Sequence, residues 1–369
     1  FKVLSLFPKD ELVLLMPANK KEQIKNIFRN LICDSEMLDL LTTAIAIKSL
    51  EPTSSLDFIR YGTYVAREAE RYGADILYFP HEHPYYPLGF KLHKDMPWTE
   101  LLQLTPVVGS LAIERGKGAL LAARNLKFSY GLGFSKILKS LIRLGLFAWS
   151  VRGRTLLTIS RAVPYELQKL GINANVTLID PGIGVDPCPY AGQMDKQVDL
   201  IFFARILPQK GVYDFITVVK LLTKNMPRLK AVIMGYADDR NAYLVKSIIQ
   251  KMRLSENIKC LFNVSRDKAL KTLASAKVMV YPTRVDSYSL VVLEALSCGT
   301  PVIAYAIPGI RFNYNTDAVI KVKPLSLNGL FTNARQVLDQ ELWEELGRKG
   351  RKFTSRYTWH NVARAEWEC

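Results

Sequence analysis

Two carboxylates in the second half of the chain are spaced so that one helix could position both. Asp286 precedes the apolar run 290–296, and Glu294 lies inside this run, eight residues after Asp286. The run is typical of a buried helix, so Asp286 would lie just before that helix and Glu294 about two turns further on. Carboxylates accept hydrogen bonds from hydroxyl groups, which suits a ligand with vicinal hydroxyls such as a ribose and a hexose. Backbone N–H groups at the helix start could bind phosphate or sugar oxygens, and the residues concerned are Ser287, Tyr288, Ser289 and Leu290.

A second pattern, at residues 201–215, is typical of an anion site. A short loop after an apolar strand carries Arg205 and Lys210, and Gly211 precedes a helical pattern. Two cations beside a helix N-terminus act on the same negative charge as the free N–H groups of that helix. A diphosphate fits such a site, and solvated loop charges are the alternative. Gly235, which ends the next strand, is a weaker candidate that could equally be a turn glycine.

Short apolar runs that alternate with helical patterns predict parallel sheets. Strands that are apolar on both faces are usually covered by helices on both sides. We therefore predict an α/β fold with two doubly wound Rossmann-like domains, whose strands end around one cleft. The predicted strands are residues 76–79, 106–108, 156–159, 176–179, 200–203, 231–234, 259–262, 278–281 and 302–304.

A segment rich in proline and glycine, residues 180–192, is typical of a linker. We place a domain boundary near residue 190, which gives a first domain at 1–189 and a second domain at 190–352. Residues 353–369 contain an amphipathic helical pattern. The chain begins at Phe1 and reaches an apolar segment soon afterwards, so we expect the first domain to lack its first strand and helix.

The formal net charge of +16 over 369 residues is concentrated in one segment. Ten Lys or Arg lie within residues 115–161, and no acidic residue occurs between Glu114 and Glu166. Such a patch suits nucleic acid, an anionic membrane surface or a polyanionic substrate. Within it, a helical pattern combines a cationic face with apolar residues, which favours a membrane surface. The apolar residues are Phe134, Ile137, Leu138, Leu141 and Ile142, and the cations are Lys136, Lys139 and Arg143.

The apolar runs are much shorter than a membrane-spanning helix, and no signal-peptide pattern opens the chain. We therefore expect a cytoplasmic protein, with peripheral association to the cytoplasmic face of a membrane as a possibility. Five widely spaced cysteines and four histidines form no recognisable pattern, so neither a disulfide framework nor a metal site is expected.

Three motifs resemble the C-terminal half of family 4 glycosyltransferases, which are retaining enzymes with the GT-B fold. They are ARILPQKG, VIMG and DSYSLVVLEALSCGTPVIA, in this order and spacing. The resemblance is strong over residues 198–307 and looser over the first half. It implies that Arg205 and Lys210 bind the diphosphate of a nucleotide sugar, and that Asp286 and Glu294 hold its sugar and its ribose.

The resemblance also implies an activity, namely transfer of a sugar from a nucleotide diphosphate sugar to an acceptor hydroxyl. The reaction would need no metal and no cofactor. The first domain would bind the acceptor, the second would bind the nucleotide sugar, and the helix in 353–369 would cross back to the first domain. Together with the cationic segment 115–161, this favours a lipid-linked or membrane-surface glycan precursor as the acceptor, and no nucleic acid partner is expected.

The chain departs from the family pattern at several positions. The first acid is Asp286 instead of the usual glutamate, and Ser287 and Ser289 replace frequent glycines, so their side chains could add contacts of their own. The histidine that often follows a strand of the first domain is replaced by Ala112. This leaves His81, in the sequence YFPHEHP, as the candidate to act near the acceptor.

Three alternatives remain open from the sequence. A nucleic-acid-binding protein would explain the net charge, but it gives the paired acids no role. An NAD-dependent oxidoreductase needs an early Gly-x-Gly-x-x-Gly after a strand, and no such run occurs in the chain. A catalytically degenerate glycosyltransferase-fold subunit is suggested by Asp286 and Ala112.

Overall fold

The computed structural model of this protein describes residues 15–17, 45–47, 54–79, 85–93, 97–105 and 107–369. His81 lies outside the described residues, so its role near the acceptor stays a prediction. Among the described residues, no helix is both long and apolar enough to cross a membrane.

The first half of the described chain contains a short two-stranded sheet and a four-stranded sheet, and every strand pair in them is parallel. The four-stranded sheet has the order β3-β4-β5-β6. In chain order the elements are β1 (Leu15–Pro17), β2 (Ile45–Ile47), α1 (Ser55–Arg71), β3 (Leu77–Phe79), α2 (Tyr86–Leu92), β4 (Trp98–Leu102), α3 (Gly118–Tyr130), α4 (Phe134–Ser150), β5 (Thr155–Thr158), α5 (Ala162–Leu170) and β6 (Asn175–Leu178).

The second half contains a six-stranded parallel sheet with the order β12-β11-β10-β7-β8-β9. The strand order reverses between β7 and β10, and in open α/β sheets ligands bind at the carboxyl ends of the strands beside such a reversal. The elements are β7 (Val198–Phe203), α6 (Val212–Leu222), β8 (Ala231–Gly235), α7 (Asp239–Lys251), β9 (Ile258–Phe262), α8 (Arg266–Ala274), β10 (Ala276–Tyr281), α9 (Leu290–Ser297), β11 (Val302–Tyr305), α10 (Pro308–Asn313), β12 (Val319–Val322), α11 (Leu327–Asp339), α12 (Trp343–Thr354) and α13 (Trp359–Trp367).

The two larger sheets are buried because their strands are apolar on both faces, and the buried cluster of the six-stranded sheet extends to residues of β4 and β5. The six-stranded sheet buries Leu200, Val278 and Ile303 completely between its two layers of helices. The four-stranded sheet has its own cluster, which includes Leu102 and Leu156. An α/β fold with two parallel, helix-covered sheets is therefore confirmed.

The strand predicted at 106–108 is wrong. Val107 has a positive φ of 69° and, with Val108, lies in a turn, while the strand of this region is β4 at Trp98–Leu102. The polar Thr99 and Glu100 concealed β4, although Glu100 is fully buried. The short strands β1, β2 and β12 were not predicted, whereas the other eight predicted strands lie within two residues of observed strands.

Contrary to the expectation from cysteine spacing, Cys188 and Cys298 form a disulfide bond, with their Cα atoms 5.0 Å apart. The two residues are 110 positions apart in the sequence. They meet because the segment after β6 packs on the C-terminal end of α9. Such a contact depends on tertiary structure, so local spacing gives no sign of it.

The two halves touch through side chains on both sides of the linker. Asn313, at the end of α10, accepts a hydrogen bond from the Arg161 N–H at 2.8 Å and donates to Ser160 Oγ at 2.9 Å. In the terminal helix α13, Glu366 accepts a hydrogen bond from the hydroxyl of Tyr78 in β3. The boundary proposed near residue 190 falls between β6 and β7 and stays a prediction.

Candidate functional site

The candidate site lies at the carboxyl ends of β7, β8 and β10 and at the start of α9. A cluster of side chains and a cavity lie next to each other there. The first, which we call the ion-pair cluster, consists of Lys210, Tyr281 and Asp286. The second, which we call the Glu294 cavity, is a space of about 500 Å³ lined by Glu294 and residues that follow β8 and β9. Helix α9 joins the two groups, because Asp286 lies just before it and Glu294 lies within it.

In the ion-pair cluster, Lys210 Nζ lies 2.6 Å from Asp286 Oδ2 and also donates to the carbonyl of Val285 at 2.9 Å. The hydroxyl of Tyr281 donates to the same Asp286 oxygen. Burial alone would raise the pKa of Asp286, but the charge of Lys210 and these hydrogen bonds outweigh it and hold that pKa below its ordinary value. Burial, followed by the charge of Asp286, raises the pKa of Tyr281 well above its ordinary value. The cluster therefore holds a carboxylate, an ammonium and a neutral phenol.

The loop between Asp286 and α9 is folded around the other oxygen of that carboxylate. Asp286 Oδ1 accepts hydrogen bonds from the N–H groups of Ser287 at 2.9 Å and Ser289 at 3.2 Å. Ser289 has a φ of 63°, a left-handed conformation that turns the chain into the helix. The N–H groups of Tyr288 and Leu290 donate to no other described residue. Of the four backbone groups that the sequence proposed for ligand binding, two are therefore engaged and two are free.

Two side chains of this loop are used for packing. The Ser287 hydroxyl donates to the carbonyl of Gln103, which belongs to the first half of the chain. The Tyr288 ring is buried edge-on against Tyr314 and Tyr357, with centroids 6.0 and 6.3 Å away. These side chains fix the loop in place, so the N–H groups of Tyr288 and Leu290 remain the candidates for contact with a ligand.

In the Glu294 cavity, the carboxylate of Glu294 is buried and accepts a hydrogen bond from Arg266 Nη1 at 2.6 Å. The Arg266 side chain is 56% exposed, and its other terminal nitrogen lies 3.7 Å from Asp186 in the linker. The amide of Asn263 exchanges two hydrogen bonds of 3.0 Å with the backbone of Ala237, which joins two loops of the cavity. The lining residues are Phe203, Met234, Gly235, Tyr236, Asn263, Val264, Arg266, Ala269, Leu270 and Glu294.

Gly235 is more than a turn glycine. Its φ is 149°, and a Cβ atom at this position would lie 1.7 Å from the carbonyl oxygen of Ala204. The end of β8 therefore approaches the end of β7 closely, which requires glycine. This close approach brings the backbone at residue 235 to the wall of the Glu294 cavity.

Arg205, the second predicted diphosphate ligand, follows β7 and is exposed to solvent. Its side chain makes no ion pair or hydrogen bond with any residue in the described part of the chain. The structure thus brings Lys210 and Asp286 into contact and leaves Arg205 available at the same end of the sheet.

Sequence reasoning missed Arg266 and Tyr281. Tyr281 ends a buried strand, and a tyrosine hydroxyl at that position needs a polar partner, which was a usable signal. Arg266 follows the cap residue Ser265 at the start of α8, and nothing in its neighbourhood predicted a contact with Glu294. Within the described residues, no group of three or more His, Cys, Asp or Glu could hold a metal ion.

A buried carboxylate of the first half supports the opposite side of the site. Glu166 in α5 accepts hydrogen bonds from the hydroxyl of Thr105, from Ser110 Oγ at 3.2 Å and from the N–H of Leu111 at 3.0 Å. Burial raises the pKa of Glu166 to about 7, although these three hydrogen bonds oppose the shift. One side chain therefore fixes Thr105 and the loop 107–111 by three bonds.

This loop contacts Val285, the residue before Asp286 of the ion-pair cluster. A Cβ atom at Gly109 would lie 2.3 Å from the Tyr130 hydroxyl and 3.2 Å from Val285 Cγ1, so the loop, α3 and the residue before Asp286 meet at one point. Burial, and then the charges of Glu166 and Asp286, raise the pKa of Tyr130. Ala112 is buried just after the loop.

A double-mutant cycle tests the ion-pair cluster. We expect Lys210→Ala to lower the free energy of unfolding by about 3–5 kcal/mol, because it leaves the Asp286 carboxylate buried without a cation. Adding Asp286→Asn should restore most of the loss, as measured by chemical denaturation. The exposed pair Lys349–Asp317 is the control, and Lys349→Ala should cost less than about 1 kcal/mol. Equal losses in the single and double variants would contradict the pairing.

A pH series tests Glu166. Its pKa is 4.5 ordinarily and about 7 in the folded chain, so the folded state binds more protons between these values. The contribution of Glu166 to stability is therefore greatest below pH 4.5 and is lost as the pH rises through 7. We expect the unfolding free energy of the parent, relative to Glu166→Gln, to fall over this range. A difference that is independent of pH would contradict the raised pKa.

Comparisons with known proteins relate the second half of the chain to a described family. Residues 191–352 match the model of the family described as Glycosyl transferases group 1. A glycogen synthase of Mycobacterium tuberculosis is 26% identical over 227 residues, which are 59% of this chain and 54% of that protein. The chain thus spans about half the length of this curated relative. Membership of family 4 in particular stays a prediction.

Solved structures extend the likeness over both halves. The structure of Anabaena HepE in complex with UDP and glucose has a TM-score of 0.64 at 13% identity and covers 97% of this chain and 98% of that one. WaaG, described as a glycosyltransferase involved in lipopolysaccharide biosynthesis, has a TM-score of 0.63 at 14% identity and covers 88% and 86%. The chain therefore has the GT-B fold, and its residues 191–352, which carry the ion-pair cluster and the Glu294 cavity, form a Glycosyl transferases group 1 domain.

Proposed function

We propose that this protein is a glycosyltransferase that moves a sugar from a nucleotide diphosphate sugar to an acceptor hydroxyl. The observation that carries the proposal is the placement of Lys210, Asp286 and Glu294 around the start of one helix in the matched domain. A cation, a carboxylate beside it and a second carboxylate in a neighbouring cavity suit the three parts of such a donor. These parts are the diphosphate, the sugar and the ribose.

The nucleoside would occupy the Glu294 cavity. A volume of about 500 Å³ lies within the usual range of small-molecule sites. Glu294 would accept hydrogen bonds from the ribose hydroxyls, and Arg266 would have to leave that carboxylate or share it. Tyr236 lines the cavity with a ring that is 67% exposed, so its face is available to stack on a base.

The diphosphate would lie at Lys210 and Arg205. Cleavage of the anomeric C–O bond places negative charge on the departing diphosphate, and cations held at that point stabilise the transition state more than the ground state. This supports a reaction that needs no metal ion. The free N–H groups of Tyr288 and Leu290, at the start of α9, would add to the same stabilisation.

Retention of the anomeric configuration is part of the proposal. Asp286 is a poor nucleophile, because Tyr281 and two backbone N–H groups bond its oxygens even when Lys210 turns to the diphosphate. Its neighbour Glu294 is paired with Arg266. We therefore favour attack of the acceptor from the face that the diphosphate leaves, with a phosphate oxygen taking the acceptor proton, over a covalent glycosyl-enzyme.

The proposed acceptor is a lipid-linked or membrane-surface glycan precursor at the cytoplasmic face of a membrane. The support is the segment 115–161, with ten cations and no acidic residue, in the half of the chain that would bind the acceptor. A lipid acceptor also agrees with the description of WaaG, which shares the fold. His81 keeps its proposed place near the acceptor.

Thermal unfolding with a panel of nucleotides tests the donor site, because a ligand that binds the folded state raises the apparent stability. We expect the parent to prefer nucleoside diphosphates with a complete ribose over their 2′,3′-dideoxy forms. Glu294→Gln should lose this preference and bind the ribose forms about tenfold more weakly, the scale of one hydrogen bond to a charged group. Glu344→Gln, at an exposed glutamate of α12, is the control. Unchanged discrimination in Glu294→Gln would remove the ribose assignment.

Turnover tests the leaving-group site. Arg205→Ala should lower kcat about 100-fold with each donor that binds, the scale of losing one transition-state contact. Folding should be unaffected, because the Arg205 side chain is exposed and has no partner in the described chain. Arg240→Ala, at another exposed cation of the same domain, should leave kcat unchanged. Equal turnover in both variants, or a strict requirement for a divalent cation, would contradict the assignment.

A further inference from the structure

Helix α4 has two apolar faces. One face packs into the core of the four-stranded sheet through Leu144 and Phe147. The other face is open to solvent, with Phe134 82% exposed and Ile142 58% exposed. We call this second face the exposed row, and its members are Phe134, Leu138, Ile142, Leu146 and Trp149.

The sequence had placed Phe134, Ile137, Leu138, Leu141 and Ile142 on one apolar face. The structure divides them. Ile137 and Leu141 are half-buried, whereas Phe134, Leu138 and Ile142 point to solvent. A spacing of four, four, four and three residues places the exposed row along one line of the helix surface. A surface helix of a globular protein normally shows a polar face there, so this line of apolar groups calls for a partner.

The charges beside the exposed row identify the kind of partner. Lys136, Lys139 and Arg143 are exposed on the same helix, and the two lysines form no ion pair with any described residue. Lys91 approaches the far end of the row, with Nζ 4.5 Å from the Trp149 ring centre and 2.8 Å from its carbonyl oxygen. Tryptophan, lysine and arginine together are typical of a membrane interface, where apolar groups enter the acyl region and cations stay with the headgroups.

The exposed row also begins beside the candidate site. Tyr130, whose hydroxyl lies against Gly109 and next to Val285, is four residues before Phe134. Four residues of chain span at most about 15 Å. The most exposed apolar group of the row therefore lies within about 15 Å of chain of Tyr130, whose hydroxyl reaches the loop that contacts Val285.

We propose that α4 docks on an anionic lipid leaflet by inserting the exposed row among the lipids, while Lys136, Lys139 and Arg143 contact the headgroups. This deepens the proposed function, on which it rests, by fixing how a lipid-linked acceptor reaches the site. The acceptor's lipid stays in the leaflet, and its polar end crosses from the Phe134 end of the helix to the ion-pair cluster. A second copy of this chain is a poorer partner, because the same cations lie beside its exposed row and the two sets of cations would repel each other.

Insertion and electrostatic attraction respond differently to salt. Headgroup contacts weaken as ionic strength rises, whereas burial of apolar side chains does not. We expect the protein to float with vesicles of phosphatidylcholine and phosphatidylglycerol and to bind pure phosphatidylcholine weakly. High salt should reduce binding to the mixed vesicles and leave a measurable remainder.

Two pairs of variants separate the contributions. Leu138→Ser with Ile142→Ser should weaken binding at least about tenfold and abolish the salt-resistant remainder. Lys136→Glu with Lys139→Glu should weaken binding at low salt at least about twentyfold, since each cation near an anionic leaflet contributes about fivefold. Matched controls on the second domain are Tyr243→Ser with Leu244→Ser, and Lys224→Glu with Lys251→Glu. These should bind as the parent does.

Several results would overturn the proposal. They are no binding by the parent, equal loss in the controls, complete loss of binding in high salt, and a dimer of the parent that the exposed-row variants dissociate. Nucleotide-dependent thermal shifts of the same variants keep the two proposals distinguishable. If those shifts persist while vesicles are not bound, docking alone fails. If vesicles are bound as expected while the parent shows no nucleotide shift, the proposed donor function fails and the docking surface stands.

Discussion

The contact between Lys210 and Asp286 is the interaction on which the candidate site depends. Both side chains are largely removed from solvent, so each charge needs the other. The contact also fixes the surrounding chain, because Asp286 caps the loop before α9 and Lys210 holds the carbonyl of Val285. The pair therefore holds the turn from which α9 starts.

Two ion pairs of the site are the contacts that a bound ligand would replace. In the described chain, Lys210 is bonded to Asp286, and Arg266 is bonded to Glu294. A nucleotide sugar carries anionic phosphates for the cations and hydroxyl groups for the carboxylates. Binding of such a donor would replace two internal contacts by several contacts with the ligand, so no charge would be left buried and unpaired.

The site is built by both halves of the chain. Glu166 holds the loop 107–111 against Val285, and the Ser287 hydroxyl reaches back to Gln103. Asn313 adds bonds to both sides of the linker. A change in the relative position of the two sheets would therefore alter the surroundings of Asp286 directly, which provides a physical route from acceptor binding to the ion-pair cluster.

Much of the second half could be predicted because its signals are local. Strands that are apolar on both faces, and a helix at 290–297 that starts after a polar turn, leave little choice of structure. The predictions that failed concerned side-chain contacts and helix faces, which depend on tertiary packing. Arg266 meets Glu294, and Cys188 meets Cys298, only after the sheet has formed.

One further failure, in β4, had a local cause, and another, in α4, depended on packing. In β4 the polar Glu100 is buried, so the apolar pattern of the strand was interrupted and the strand was placed too late in the sequence. In α4 periodicity identified an apolar helix, but it could not say which side faces the sheet. For this reason the exposed row became visible only in the folded chain.

The central claim is that a bound donor replaces the Lys210–Asp286 and Arg266–Glu294 contacts. A crystal structure of the protein with an intact nucleotide diphosphate sugar would test this claim most directly. We expect the diphosphate within hydrogen-bonding distance of Lys210 and Arg205, the ribose hydroxyls on Glu294, and the Arg266 guanidinium displaced from that carboxylate. A donor bound elsewhere, or one bound at this position with Lys210 still on Asp286 and Arg266 still on Glu294, would contradict it.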